Sequence, residues 1–138
     1  MIAYVDSSVL LRLILGQANR LSEWAAVEKG VASSLVEVEC LRTLDRLRLR
    51  AQLSDEDLAT RRETVFRLTD EMTLVEPTPA VLRRASQPLP TSLGTLDAIH
   101  LATASLCTET SGELLVMATH DGALALAARA SGIRVVGS

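Results

Sequence analysis

Four carboxylates, Asp6, Glu39, Asp97 and Asp121, stand at or near places where strand-like and helix-like patterns meet, and no Lys or Arg lies within two positions of any of them. Brought together by folding, such acids repel one another, and raised pKa values or a bound cation relieve the repulsion. Carboxylate oxygens are hard donors, so the set favours Mg²⁺ or Mn²⁺ over zinc. One such cation can activate water and stabilise charge on a phosphate under attack, and a second can assist the leaving oxygen of an in-line displacement. On this reading one or two metals are held chiefly by Asp6 and Asp97, with Asp121 and Glu39 completing the site directly or through water.

The elements that must position these acids are legible in the hydrophobic pattern. Residues 2–5 form an apolar run that reads as a short buried strand, with Asp6 at its carboxyl end and Ser7-Ser8 opening an amphipathic segment over 9–15. Asp121 repeats the arrangement: an apolar strand over 114–118, then Thr119 and His120, then an Ala-rich helical stretch from 123 to 130. Sites in open parallel α/β sheets collect outside the carboxyl ends of the strands, so these two acids are expected to share one crevice. Further strand signals at 31–33, 73–75 and 133–136 alternate with helical stretches. The alternation predicts an α/β protein with a central, mainly parallel sheet of about five strands, covered on both faces. Helix starts are read at Ser54, with acids in its first turn, and at Thr78-Pro79. Residues 87–94 are the one clear loop. With 138 residues, 48% of them hydrophobic, one domain over 1–138 is expected, and no repeat or linker divides it.

Asp97 falls in the first turn of a helix that begins after Gly94, where the macrodipole favours an anion. Taken alone it is an ordinary first-turn acid. Glu39 lies in a helix predicted over 35–50, and on its wheel Glu39, Arg42, Arg46 and Arg50 share an arc of about 80°. The arginine row could lead a polyanionic backbone toward the carboxylates. Equally, Glu39 with Arg42 or Arg46 could form ordinary surface pairs, worth about 0.2–1 kcal/mol. Glu37 offers a second acid about 160° away on the wheel. Only one of the two can face the site, and alignment with Arg42 favours Glu39. Val38, Leu41 and Leu49 flank the row on one side, and Val36, Cys40, Leu44 and Leu47 lie on another, which calls for two packing partners. The sheet is one; the second is another subunit, a protein partner, or a further element of the same domain.

Composition narrows the classes. A formal net charge of −3 gives no broad basic surface, yet 13 of the 14 Lys and Arg residues are Arg, the side chain suited to bidentate phosphate contact. Aromatic residues are only 2%, which argues against the stacking platforms that bind single strands by aromatic faces. Cys40 and Cys107 have no partner at zinc spacing and read as reduced thiols within helices. His100, one turn beyond Asp97, and His120, beside Asp121, read as packed or supporting histidines before ligands. No leader pattern and no run near the ~18 apolar residues of a membrane span is seen, so a soluble cytoplasmic protein is expected.

In order and spacing, Tyr4-Val-Asp-Ser-Ser-Val-Leu10, residues 34–42, residues 96–104 and Thr119-His-Asp121 before an Ala-rich helix resemble the PIN-domain ribonucleases. Within that family the chain resembles the small VapC-type toxins of bacterial toxin–antitoxin pairs, over nearly its whole length. The resemblance implies a PIN-like three-layer α/β/α fold and an endoribonuclease dependent on Mg²⁺, with Mn²⁺ as a substitute. Asp6, Glu39, Asp97 and Asp121 would correspond to the family's acidic quartet. Thr119 matches a polar position beside the fourth acid and joins Arg42, Arg46 and Arg50 as a candidate substrate contact. A homodimer is implied, as is a cognate antitoxin protein that covers the site.

Competing enzyme classes lack residues they need. A dehalogenase-type phosphatase needs a second Asp where Ser8 stands, and a response-regulator receiver needs a Lys near the end, whereas Lys29 is the only Lys. No phosphate-binding loop or dinucleotide glycine fingerprint is present. A catalytically weak RNA-binding or protein-interaction module, using the acidic pocket to receive an Arg from a partner, is the alternative from a different class.

Overall fold

The computed structural model describes residues 1–138. Five strands, β1 (Ile2–Val5), β2 (Lys29–Ser33), β3 (Thr73–Val75), β4 (Val116–Ala118) and β5 (Val135–Val136), form one sheet in the order β3-β2-β1-β4-β5, with every pairing parallel. Six α-helices, α1 (Ser7–Ile14), α2 (Leu35–Leu49), α3 (Asp55–Asp70), α4 (Pro79–Ala85), α5 (Thr95–Ser111) and α6 (Gly122–Ala130), connect the strands, with a 3₁₀ turn at Ser22–Ala26.

Side chains alternate across a strand, so each strand feeds two cores. Ala3 and Val5 of β1, Ala32 of β2 and Val116 and Ala118 of β4 enter one core with Val9, Leu10 and Ile14 of α1, Val36, Cys40 and Leu44 of α2 and Val65 of α3. Tyr4, Val31, Leu115 and Met117 point the other way, against Leu101 and Ala104 of α5 and Leu124, Ala127 and Ala128 of α6. The result is the three-layer α/β/α arrangement. In the second layer, residues 98–104 of α5 are buried on every side, because Ala98, Ala102 and Ala104 let neighbours approach where a larger side chain would not fit.

The chain leaves β1 toward β2 and β3, then returns across the sheet to β4 on the other side of β1. Helices α1 to α3 therefore cover one face and α5 and α6 the other, as right-handed crossovers require when the direction of travel reverses. The reversal opens a gap between the carboxyl ends of β1 and β4, where bound groups sit in sheets of this kind.

Some edges differ from the sequence expectation. Strand β4 begins at Val116 rather than Leu114: its ladder with β1 runs from the Ala3–Val116 pair to the Val5–Ala118 pair, and Leu114 is 86% exposed. Strand β5 is confined to Val135–Val136, because the chain is still turning at Gly132, φ +80°. Strand β2 extends two residues earlier, to Lys29. The helix starts lie where capping chemistry puts them: the Ser54 and Thr78 side chains accept from Asp57 N–H and Val81 N–H, each contributing about 1 kcal/mol. Of the two apolar stripes on α2, Val36, Cys40 and Leu44 are fully buried, while Val38 is 50% and Leu49 67% exposed.

Candidate metal centre

Asp6 follows β1 directly and serves as N-cap of α1 in extended conformation (φ −80°, ψ 153°). Its amide donates to Ala118 O of β4 (3.0 Å), which fixes the acid at the gap between the two strands. Only 4% exposed, its carboxylate is anchored through one oxygen: Oδ2 accepts from Ser8 Oγ (2.6 Å), Thr119 Oγ1 (2.9 Å) and, at longer range, Ser8 N (3.4 Å). Oδ1 takes no hydrogen bond from the protein, and Asp6 lines the crevice. Asp121 mirrors this from β4. It caps α6, with Oδ1 accepting from Leu124 N (2.9 Å), and its second oxygen is uncommitted.

Glu39, on the second turn of α2, is held at both oxygens: Oε2 accepts from Ser7 Oγ (3.2 Å) and Oε1 from His100 Nε2 (2.6 Å). Glu37 faces away, accepting from the Thr69 hydroxyl of α3 (3.1 Å), so the wheel separates the two acids in the direction expected. Asp97 stands in the first turn of α5 and takes no hydrogen bond from the protein, leaving both oxygens open. A crevice of about 520 Å³ is lined by Asp6, Ser7, Ser8, Leu11, Glu39, Asp97 and Asp121, with residues 94–96 at its rim. All four acids singled out by the sequence thus meet in one recess at the switch point of the sheet.

The electrostatics of the recess are those of crowded anions. Asp97 is pushed above the ordinary carboxylate range, first by partial burial and then by the Asp121 and Asp6 charges. His100 is wholly buried; burial alone would hold its imidazole neutral, but the bond to Glu39 and the Glu39, Asp6 and Asp97 charges outweigh it and shift its pKa upward. No three of the acids close around a common point, a splayed arrangement that mutual repulsion favours. The donor set fits a hard divalent cation: open carboxylate oxygens on Asp6, Asp97 and Asp121, no thiol, and a surplus of negative charge.

Two expectations change: Thr119 as a substrate contact and Arg42 as a partner of Glu39. Thr119 is not placed to touch a substrate: it is fully buried, and its hydroxyl donates to Asp6 Oδ2 while accepting from Asp121 N (3.0 Å). It ties the two strand-end acids together. Arg42 pairs with Asp45 (3.2 Å) rather than with Glu39, because Asp45 lies one turn along the same helix and Glu39 is a carboxylate already bonded twice. Arg46 bonds the Thr43 hydroxyl (3.0 Å). Both still line a shallow groove with Ser7, Leu35, Val38 and Leu96 that shares Glu39 with the crevice, whereas Arg50 lines neither. His120 turns from the crevice, its Nδ1–H donating to Gly137 O (2.7 Å). That approach is close enough to require glycine: at φ +92° a Cβ on Gly137 would lie 2.8 Å from Thr119 O.

The supporting hydroxyls of Ser7 and Ser8, and Tyr4 as the partner of His100, were not anticipated as parts of the site. A signal existed for Tyr4, the only tyrosine: a phenol inside an apolar strand must find a polar partner.

Fold and site together define a doubly wound α/β protein with an acidic recess at its switch point. The profile of the PIN domain family matches residues 3–130, and the chain belongs to that family. PIN domains are generally nucleases and typically use divalent metal ions. Among solved structures the chain is similar to PAE2754 from Pyrobaculum aerophilum, with 25% identity and a TM-score of 0.61 over 98% of this chain and 90% of that one. No curated protein matches the chain. No helix is long and apolar enough to cross a membrane.

Proposed function

We propose that the protein is a metal-dependent endoribonuclease acting from one domain over residues 1–138. The observation that carries this reading is the convergence of Asp6, Glu39, Asp97 and Asp121 on the crevice between β1 and β4. Asp6, Asp97 and Asp121 would hold Mg²⁺ or Mn²⁺ through their open oxygens, and Glu39 would act directly or through water. Bound there, the cation supplies an activated water and charge stabilisation at the scissile phosphate. The chain's own part is to hold the anions apart until the metal arrives: Ser8 and Thr119 fix Asp6, the α6 amide of Leu124 fixes Asp121, and the α5 dipole supports Asp97. Incubating the purified protein with total cellular RNA in Mg²⁺, Mn²⁺ or EDTA tests the reading. Discrete fragments that disappear in EDTA are expected; tight partner binding without turnover under any metal would instead favour an interaction module.

The groove beside Glu39 supplies the approach for RNA. Arg42 and Arg46 stand on its wall as exposed cations, with Arg50 further along the same helix face. Replacing Arg46 and Arg50 with Ala is expected to weaken RNA binding and to flatten its salt dependence, by about 0.7 in log–log slope for each phosphate that these arginines neutralise. An unchanged slope would remove these arginines from the path of the RNA.

The finer assignment is a VapC-type toxin of a toxin–antitoxin pair, working in the cytoplasm and held inactive by a cognate antitoxin that covers the crevice. Its support is the order of the four motifs. Homodimer formation is supported by the exposed Val38 and Leu49 on α2, and sedimentation as a monomer alone at micromolar concentration would remove it.

A further inference from the structure

We infer that His100 is a positioning residue for the metal centre, holding the Glu39 carboxylate in place through a buried hydrogen-bond chain anchored in the sheet. The inference rests on the proposed metal site and extends it to side chains that touch neither crevice solvent nor substrate. The chain begins at the backbone of β2, where Ser33 N–H donates to the Tyr4 hydroxyl (3.1 Å). The hydroxyl meets His100 Nδ1 at 2.7 Å, and Nε2–H donates to Glu39 Oε1 at 2.6 Å. Every link has a donor in either protonation state of the ring: Ser33 N–H donates to Tyr4 O and Nε2–H to the carboxylate, while Tyr4 O–H donates to a bare Nδ1 or accepts from Nδ1–H. Tyr4 and His100 are both 0% exposed, and their rings meet edge-on with centroids 5.9 Å apart.

Three facts make this more than packing. Burying an imidazole, a phenol and part of a carboxylate is costly unless each polar atom is satisfied, and an apolar trio would fill the same space without that demand. The chain joins four elements, β2, β1, α5 and α2, whose relative placement sets where Glu39 points. It also leaves Oε2, held only by Ser7 Oγ at 3.2 Å, as the more weakly committed oxygen of a carboxylate that lines the crevice. A histidine that bonds a carboxylate on one side and a hydroxyl on the other has no freedom to rotate, so the carboxylate is presented in one orientation before any cation binds.

The test is Mn²⁺ binding by calorimetry on wild type and on His100→Leu, His100→Gln, Tyr4→Phe, Glu39→Gln and the His100→Leu/Glu39→Gln double variant. Partners of this kind typically change metal affinity by about 10–100-fold. His100→Leu is expected to weaken Mn²⁺ by about that factor, and Tyr4→Phe by less. His100→Gln, whose amide can still donate to Oε1, should recover most of the loss. The double variant should bind no more weakly than Glu39→Gln alone, since His100 acts through that carboxylate. A merely structural histidine would move unfolding temperature in His100→Leu and leave Mn²⁺ affinity at the wild-type value, and that result overturns the inference; so does a double variant that loses the sum of both effects. Tyr4→Phe and His100→Gln keep the test open if His100→Leu does not fold. Absence of Mn²⁺ binding in the wild type would overturn the metal site itself, and the inference with it.

Discussion

Replacing Asp97 by Asn is expected to abolish metal-dependent RNA cleavage while making the metal-free protein slightly more resistant to heat. Asp97 is the acid of the recess that no protein group bonds, so both its oxygens are open to a cation, and the amide removes the charge and one of the acceptors. Lewis-acid stabilisation of the transition state is worth several kcal/mol, so the loss should be on the order of 10³-fold in rate. Stability moves the other way because the carboxylate is disfavoured by partial burial and by the Asp121 and Asp6 charges. Mn²⁺ should raise the unfolding temperature of the wild type by mass action and do little for the variant. Single-turnover cleavage and thermal unfolding with and without Mn²⁺ measure both effects. Cleavage within about tenfold of wild type, roughly 1.4 kcal/mol, would remove Asp97 from the catalytic set. On the toxin reading, expression of the wild type arrests growth and expression of the Asp97→Asn variant does not.

The second large effect concerns alkaline pH. Burial, reinforced by the Glu39 charge, pushes the Cys40 thiol up to about 12, and burial likewise pushes the Tyr4 phenol upward. Both folded-state values lie above the unfolded ones of about 8.5 and 10. The folded protein therefore keeps protons on Cys40 and Tyr4, and in smaller part on the half-buried Cys107 thiol, which burial also pushes up, that the unfolded chain has released. Their contribution to stability is fully present below the unfolded pKa values and is lost as pH rises past them toward the folded ones. Above about pH 10 the slope should approach two protons, about 2.7 kcal/mol per pH unit. Few other groups titrate there, since the chain has one Tyr, one Lys and two Cys and its 13 Arg stay charged throughout, and Cys107→Ala separates the second thiol's share. Denaturant unfolding from neutral pH to about 11 measures it, and Cys40→Ala should remove about half the slope. Stability that stays flat over that range would mean the thiol and phenol ionise in place.

The strand and helix pattern was readable because burial imposes it residue by residue. The run 2–5 had to be a strand buried on both faces, and Asp6 and Asp121, each following such a run, had to lie at strand carboxyl ends. Strand limits at Leu114 and Ile133 were not readable. An apolar run does not mark where pairing starts: Leu114 is exposed and Leu115 lies in the core, yet neither is in the ladder with β1, which runs from Val116 to Ala118. The choice of Glu39 over Glu37 followed from helical geometry, and the structure places Thr69 against the acid that faces away.

What the sequence alone determined about this protein is the class of elements, their order, and four acids whose local settings point to one end of a sheet. What only the tertiary structure decided is how those acids are held: Thr119 bridging Asp6 and Asp121, and the path from Ser33 through Tyr4 and His100 to Glu39. Local pattern is set by each residue's neighbours along the chain. These hydrogen bonds join residues up to 113 positions apart, and such pairs acquire their geometry only when separate layers pack.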